Sequence, residues 1–265
     1  MRFNDIHVHL YEKQTSSARE LLKNMDKLGV EKVALLSWYG DDLRKQRENI
    51  ERMASLVAVC PDRLYGMAWI EPRIKTPLDM LDWAVEKKGC RGFKMIPNHW
   101  YPYEERILRY GERMAQLDVP CLFHSGILYF KTFSSRFCRP VYYEDLLTIK
   151  NFRFALAHVS WPWTDECLAL FGEFRCMRAQ GCASAEMFID LTPGTPPNYR
   201  RQVVERLITF GAEDFMLYGT DANFDGIMDS ARIKRGDSSL FRQLKLGKNT
   251  IEKIARKNFD RFFKV

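Results

Sequence analysis

No apolar run in the sequence approaches the roughly 20 residues that a bilayer-spanning helix needs, so a membrane-embedded role is not expected. The opening Met1-Arg2-Phe3-Asn4-Asp5 passes straight into polar residues and lacks the apolar segment of a signal peptide. The seven cysteines (Cys60, Cys90, Cys121, Cys138, Cys167, Cys176 and Cys182) are odd in number and form no CxxC pair. That argues against a disulfide framework and against a cysteine zinc site, and it reads as reduced thiols in a cytoplasm. Neither a GxGxxG turn nor a GxxxxGK[ST] loop is present to cradle a nucleotide phosphate. A basic arm is missing too. The net charge of +7 is spread beside acids, as in Glu31-Lys32 and Glu86-Lys87-Lys88, so nucleic acid is not the expected partner. An anionic small molecule fits that excess better.

What is present is an ordinary globular composition, 46% hydrophobic and 28% charged over 265 residues. That length suits one (β/α)8 barrel, taken here as a single α/β domain over residues 1–265. Eight short apolar runs recur at roughly thirty-residue spacing, room for a strand, a loop and one crossover helix each. They are Phe3–His9, Val33–Trp38, Leu64–Ile70, Gly92–Ile96, Cys121–His124, Phe154–His158, Ala185–Leu191 and Met216–Asp221. Helical patterns lie between them. A Ser17-x-x-Glu20 capping box opens the first and Gly29 stops it. Thr76-Pro77 is expected to open the third, and Val203, Val204, Leu207 and Ile208 form the stripe of the seventh. The last helix is expected to start at Thr250 and to bury Ile251, Ile254, Ala255 and Phe259. A doubly wound open sheet is the runner-up, without a phosphate loop to support it.

Only five histidines occur, and four stand at strand ends: His7, His9, His124 and His158. Alternate strand residues share a face, so His7 and His9 both point inward near the end of the first strand. Strand ends converge on the face of a barrel that houses active sites. Lys94 ends the fourth strand and Asp221 the eighth. A lone strand-end histidine is more often a bonded core residue than a ligand. Four of them with an aspartate would be costly to bury without a metal ion.

This pattern resembles the amidohydrolase superfamily. His7-x-His9, Lys94, His124, His158 and Asp221 match its strand 1, 4, 5, 6 and 8 residues in order. The amidohydrolase-related branch, with its lactonases and non-oxidative decarboxylases, is the most similar. It is matched at Arg91-Gly92-Phe93-Lys94, His124-Ser125-Gly126, Gly219-Thr220-Asp221 and the closing Ile251–Asn258 helix. Two residues depart from the pattern: Ser160, where glycine is usual, and Asn223, where proline is common.

The resemblance implies a divalent ion, with zinc expected, on His7, His9, His124 and Asp221. Lys94 and His158 would join them if a second ion is bound, and a bridging Lys94 would have to be carbamylated, since a bare ammonium is repelled by two cations. Otherwise Lys94 binds a substrate carboxylate. Asp221 and His158 are the expected catalytic acid–base groups. His99, Arg139 and Trp161 are candidate substrate contacts, and Arg136, Arg200 and Arg201 further anion clamps. The implied activity is hydrolysis of a small, carboxylate-bearing ester, lactone or amide. The rival is metal-dependent decarboxylation of an unsaturated or aromatic acid. The short Leu10–Ser16 loop and Lys94 lean towards hydrolysis. A TatD-type deoxyribonuclease and a metal-free binding protein are the more distant readings, and self-association is left open.

Overall fold

Strand β1 (Phe3–His9) pairs with β2 (Val30–Leu36). The parallel ladder then runs through β3 (Leu64–Trp69), β4 (Gly92–Met95), β5 (Cys121–Phe123), β6 (Arg153–Leu156) and β7 (Glu186–Asp190) to β8 (Met216–Leu217). A short β9 (Ala222–Asn223) returns to β1, with Val8 opposite Ala222 and His9 opposite Asn223. β8 and β9 are two halves of one strand path, the first on β7 and the second on β1. The ladder therefore closes into a (β/α)8 barrel. The computed structural model describes residues 1–129, 131–182 and 184–265.

The expected strands are all present, most of them a residue or two shorter at the C-terminal end. The eighth is interrupted for a visible reason. Thr220 N–H donates to the Asp5 side chain (3.0 Å) instead of to a neighbouring strand, which frees Asp221 from the ladder. β2 starts at Val30, earlier than expected, because the chain enters it directly from Gly29.

Helix α1 (Ala18–Leu28) has the expected capping box, with Ser17 and Glu20 each bonding the other's backbone, and Gly29 ends it at φ 70. Leu21, Met25 and Leu28 bury its apolar stripe. α2 (Leu43–Val57), α4 (Glu105–Gln116), α5 (Thr164–Ala179), α6 (Pro197–Thr209) and α7 (Ser230–Gln243) complete most of the outer ring. α6 buries Val203, Val204 and Leu207, with Ile208 half-buried. Thr76 does not cap the third helix. Its hydroxyl donates to the Glu71 carbonyl (3.0 Å) and accepts from Gln46 (3.1 Å), and α3 starts only at Asp79 (Asp79–Asp82). The β5–β6 crossover is a 3-10 segment, Pro140–Thr148. α8 (Lys248–Glu252), a π turn and α9 (Asn258–Phe263) form the last helical run, which buries Ile254, Ala255 and Phe259. Among the described residues no helix is long and apolar enough to cross a membrane.

Strand alternation separates two cores. Outward residues such as Phe93, Met95, Phe123 and Ile189 pack under the helices. Inward residues such as Leu36, Met67, Leu122, Ala155, Phe188 and Leu217 fill the barrel, and Phe259, Phe262 and Phe263 plug its N-terminal end. Each fully buried side chain of this size contributes about 1.5–3 kcal/mol. The β1–β2 register shifts between Asp5 and Val8. The shift lets Ile6 join the barrel core while His7 still faces inward at the other end.

Candidate active site

The inward-facing period continues past each apolar layer and changes chemistry. Beyond Leu122 comes His124, beyond Phe188 comes Asp190, and Lys94 stands between the outward Phe93 and Met95. His124 and Lys94 end in one cavity of about 380 Å³ at the C-terminal rim, within the usual range for small-molecule sites, and Asp190 lies behind its lining. His7, His9, Lys94, His124, His158 and Asp221 all line it. The structure thus brings together all six residues of the sequence constellation.

At the centre, His7 Nε2 and His9 Nε2 lie 3.1 Å apart, and Asp221 Oδ1 lies 3.5 and 3.2 Å from them. Ligand atoms held about 2.1 Å from one ion at tetrahedral angles stand about 3.4 Å apart, so the three fit a shared divalent cation. His7, His158 and Asp221 also offer atoms within 4.8 Å of one another. The Nε2 of His124 is buried and has no hydrogen-bond partner among the described residues. An orphaned imidazole nitrogen on a polar cavity is the donor that a cation would satisfy. Lys94 is fully buried, and its Nζ lies 3.3 Å from His7 Nε2.

Burial sets the electrostatics. It lowers the imidazolium pKa of His7 and His124 well below the usual value and that of His158 by less. Lys94 and neighbouring rings push the same way, Asp221 opposes at His7 and Asp221 and Asp190 at His158, and burial outweighs them, so these rings are neutral at pH 7. Burial also brings Lys94 down to about 8. On Asp221 burial pushes upward, but His7, His9 and His158 outweigh it and hold the carboxyl below the usual range.

Other groups in the site were not foreseen from sequence. Asp190 is buried at the end of β7, and its Oδ2 meets His7 Nδ1 at 2.9 Å. Thr192 donates to the same oxygen (2.7 Å) and meets His158 Nδ1 at 3.0 Å. Asp5 accepts from His7 N–H (3.1 Å) and from both donors of Thr220, which sets the turn that carries Asp221. The alternation along Phe188, Asp190 and Thr192 was the available signal. One wall is aromatic: Tyr11, Trp38, Tyr39 and Trp69 form a chain of ring contacts 4.7–6.0 Å apart. Arg73 lies on that side, oriented by a two-point contact with buried Glu71 (3.1 Å each).

Of the expected substrate contacts, Lys94 lines the cavity and the others fall elsewhere. His99 is outside the cavity lining and packs against Phe137 at 5.3 Å. Arg139 is half-exposed, bonded to Glu166 (3.0 Å) and over the Trp163 ring. Trp161 meets Tyr199, again outside the lining. Arg200 grips buried Asp237 (2.6 Å), Arg201 bonds Gln243, and Arg136 lies over Phe137. His158, Val159 and Ser160 all have left-handed backbone, with φ 61, 48 and 56. That conformation explains why glycine is usual where Ser160 stands. A Cβ on Gly194 would lie 2.6 Å from His158, so that glycine lets the backbone close behind the ring.

No curated protein matches the chain at a significant level. Among solved structures it is similar to 2,6-dihydroxybenzoate decarboxylase from Rhizobium, at 18% identity and TM-score 0.68 over 99% of this chain and 98% of that one. A manganese-bound 5-carboxyvanillate decarboxylase from Novosphingobium aromaticivorans matches at 13% identity and TM-score 0.68, over 100% and 97%. A protein described as a probable 2-pyrone-4,6-dicarboxylic acid hydrolase from Acinetobacter baumannii, solved with citric acid, matches at 14% and 0.68 over both whole chains. At these identities the likeness establishes the shared barrel. Residues 2–265 match the family described as Amidohydrolase, and on that match across nearly its whole length the chain belongs to the amidohydrolase family.

Proposed function

We propose that the protein is a metal-dependent hydrolase of a small, planar, carboxylate-bearing ester, lactone or amide. The observation that carries this reading is the convergence of His7 Nε2, His9 Nε2 and Asp221 Oδ1 within 3.1–3.5 Å beside buried Lys94. His7, His9, His124 and Asp221 would hold the ion, zinc by their nitrogen and oxygen set or manganese as in a structural relative. A bound divalent ion lowers the pKa of water from 15.7 to about 7 and polarises a carbonyl.

The chain's own groups supply the rest. Lys94 and Arg73 present positive charge to the substrate carboxylate. The Tyr11–Trp38–Trp69 wall stacks a flat ring and excludes water. Asp221, its side chain still 32% exposed, takes the proton of the attacking water and hands it to the leaving oxygen or nitrogen. His158, within the same set of ligand atoms, serves as a second acid–base group beside Asp221.

The aromatic wall also favours a second reading, decarboxylation of an aromatic or unsaturated acid. In that reaction the carbon–carboxylate bond breaks, carbon dioxide leaves, and the ring carbon takes a proton. A panel of lactones, esters, amides and hydroxybenzoates, assayed with zinc and with manganese, separates the two. Acid release without carbon dioxide supports hydrolysis. Carbon dioxide release from a hydroxybenzoate overturns it in favour of the second reading.

A further inference from the structure

One oxygen, Asp190 Oδ2, stands at the end of a hydrogen-bond chain that reaches two histidines. It lies 2.9 Å from His7 Nδ1 and 2.7 Å from Thr192 Oγ1, and Thr192 Oγ1 lies 3.0 Å from His158 Nδ1. Counting protons along this chain leaves little freedom. An ionised carboxylate only accepts, so His7 Nδ1 carries a proton and donates it. The single hydroxyl proton of Thr192 is needed at 2.7 Å from the carboxylate, because two facing lone pairs would repel there. Thr192 Oγ1 therefore accepts from His158, whose Nδ1 must also carry its proton. Lys94 gives an independent reading from the other side of His7. An ammonium only donates, so at 3.3 Å it meets a bare His7 Nε2.

We propose that Asp190 and Thr192 are positioning residues that lock His7 and His158 together as Nδ1–H tautomers, with both Nε2 lone pairs turned to the cavity. One carboxylate thus prepares a ligand and an acid–base group at once. The lock itself needs no metal. Only its consequence, two unprotonated nitrogens ready for a cation, rests on the metal-dependent reading above. In general such outer partners fix ring orientation, and their loss costs about 10- to 100-fold in metal affinity.

The geometry makes the two positions behave differently. The Thr192 backbone N–H donates to Asp190 Oδ1 at 2.7 Å. In Asp190→Asn the amide oxygen must stay at that position, which turns the NH2 towards His7 Nδ1. His7 should then invert to the Nε2–H tautomer. Thr192→Val keeps shape and the 2.9 Å Asp190–His7 contact and removes only a longer 3.4 Å contact of Thr192 Oγ1 with His7 Nδ1, so it should release His158 alone.

The test is long-range proton–nitrogen NMR of 15N-histidine-labelled, chelator-treated protein at pH 7, with His7 and His158 assigned by single substitution. Expected are Nδ1–H tautomers for both rings in the wild type, inversion of His7 in Asp190→Asn, and loss of the bias at His158 alone in Thr192→Val. An Nε2–H tautomer at either ring in the wild type overturns the proposal. So does a Thr192→Val spectrum in which His158 is unchanged. Should Asp190→Asn not fold, the other two spectra still decide. Titration of Zn2+ into the same samples is the second arm. Affinity should fall about 10- to 100-fold in Asp190→Asn. A wild type with the expected tautomers that binds no Zn2+ sinks the metal reading and leaves the lock standing. A wild type that binds Zn2+ with other tautomers sinks the lock alone.

Discussion

The two ends of the barrel are built from the same eight strands and solve opposite problems. At the N-terminal end Phe188, Phe259, Phe262 and Phe263 meet edge-to-face or tilted, with centroids 4.7–5.3 Å apart. Most polar groups there are paired, with buried Asn4 Oδ1 an exception among the described residues. Buried Arg153 donates to the Phe262 carbonyl (2.9 Å) and to Asp118 (2.6 Å), and Asn258 donates to the carbonyls of Met216 and Glu213. At the C-terminal end a lysine, four histidines and an aspartate share one cavity, with Asp190 buried behind His7, and His9 Nδ1 and His124 Nε2 lack partners among the described residues. One end is held by an apolar plug whose polar neighbours are mostly paired. The other holds groups that only a ligand would satisfy, a pattern typical of functional sites.

The comparison can be broken by mutation, and the largest effect should be catalytic. His9→Ala should cut turnover of the identified substrate at least about a thousandfold, because it removes one corner of the ligand set. Thermal melting should still show a folded chain, since the plug is untouched. Phe262→Ala should do the reverse. It should cost about 3–5 kcal/mol of stability in denaturant titration and leave metal content per folded chain unchanged. Equal loss of metal in both variants would erase the distinction between the ends.

Lys94→Met sharpens the contrast with a change of sign. Removing a fully buried ammonium should stabilise the metal-free protein by about 1 kcal/mol at pH 7 while weakening binding of carboxylate substrates. The pH dependence checks the cause. Lys94 sits at about 8 in the folded chain and near 10.5 when unfolded, so between those values the unfolded state holds more protons. Wild-type stability should therefore rise with pH across that window, by up to about 3 kcal/mol, and Lys94→Met should lack the rise. The smallest effect is expected at Ser160. Ser160→Gly should stabilise by at most about 1 kcal/mol, measured by melting, because φ 56 suits glycine.

The same contrast explains what was legible in the sequence. The barrel could be read from eight apolar runs at even spacing, and the His7–His9 pair from strand period alone. Histidines are scarce, so four at strand ends stood out. Asp190 and Thr192 did not, although they continue the inward period of β7 from Phe188, because an acid and a threonine are common anywhere. Arg73 follows β3 beyond any periodic pattern, and only the fold brings it over the cavity. Arg139 and Trp161 lie outside the cavity lining for the complementary reason. Loop position says nothing about direction, and Glu166 and Tyr199 were nearer partners. The 3-10 crossover between β5 and β6 and the late start of α3 were missed because local bonds, such as Thr76 to Glu71, override helix signals.

The most direct measurement is elemental analysis of protein purified without chelators, for the wild type and for His9→Ala. The account predicts one equivalent of zinc or manganese per wild-type chain and its loss in the variant with the fold intact. A wild type that carries no divalent metal and takes up none on dialysis against either ion, or a His9→Ala protein that keeps a full equivalent, would contradict it.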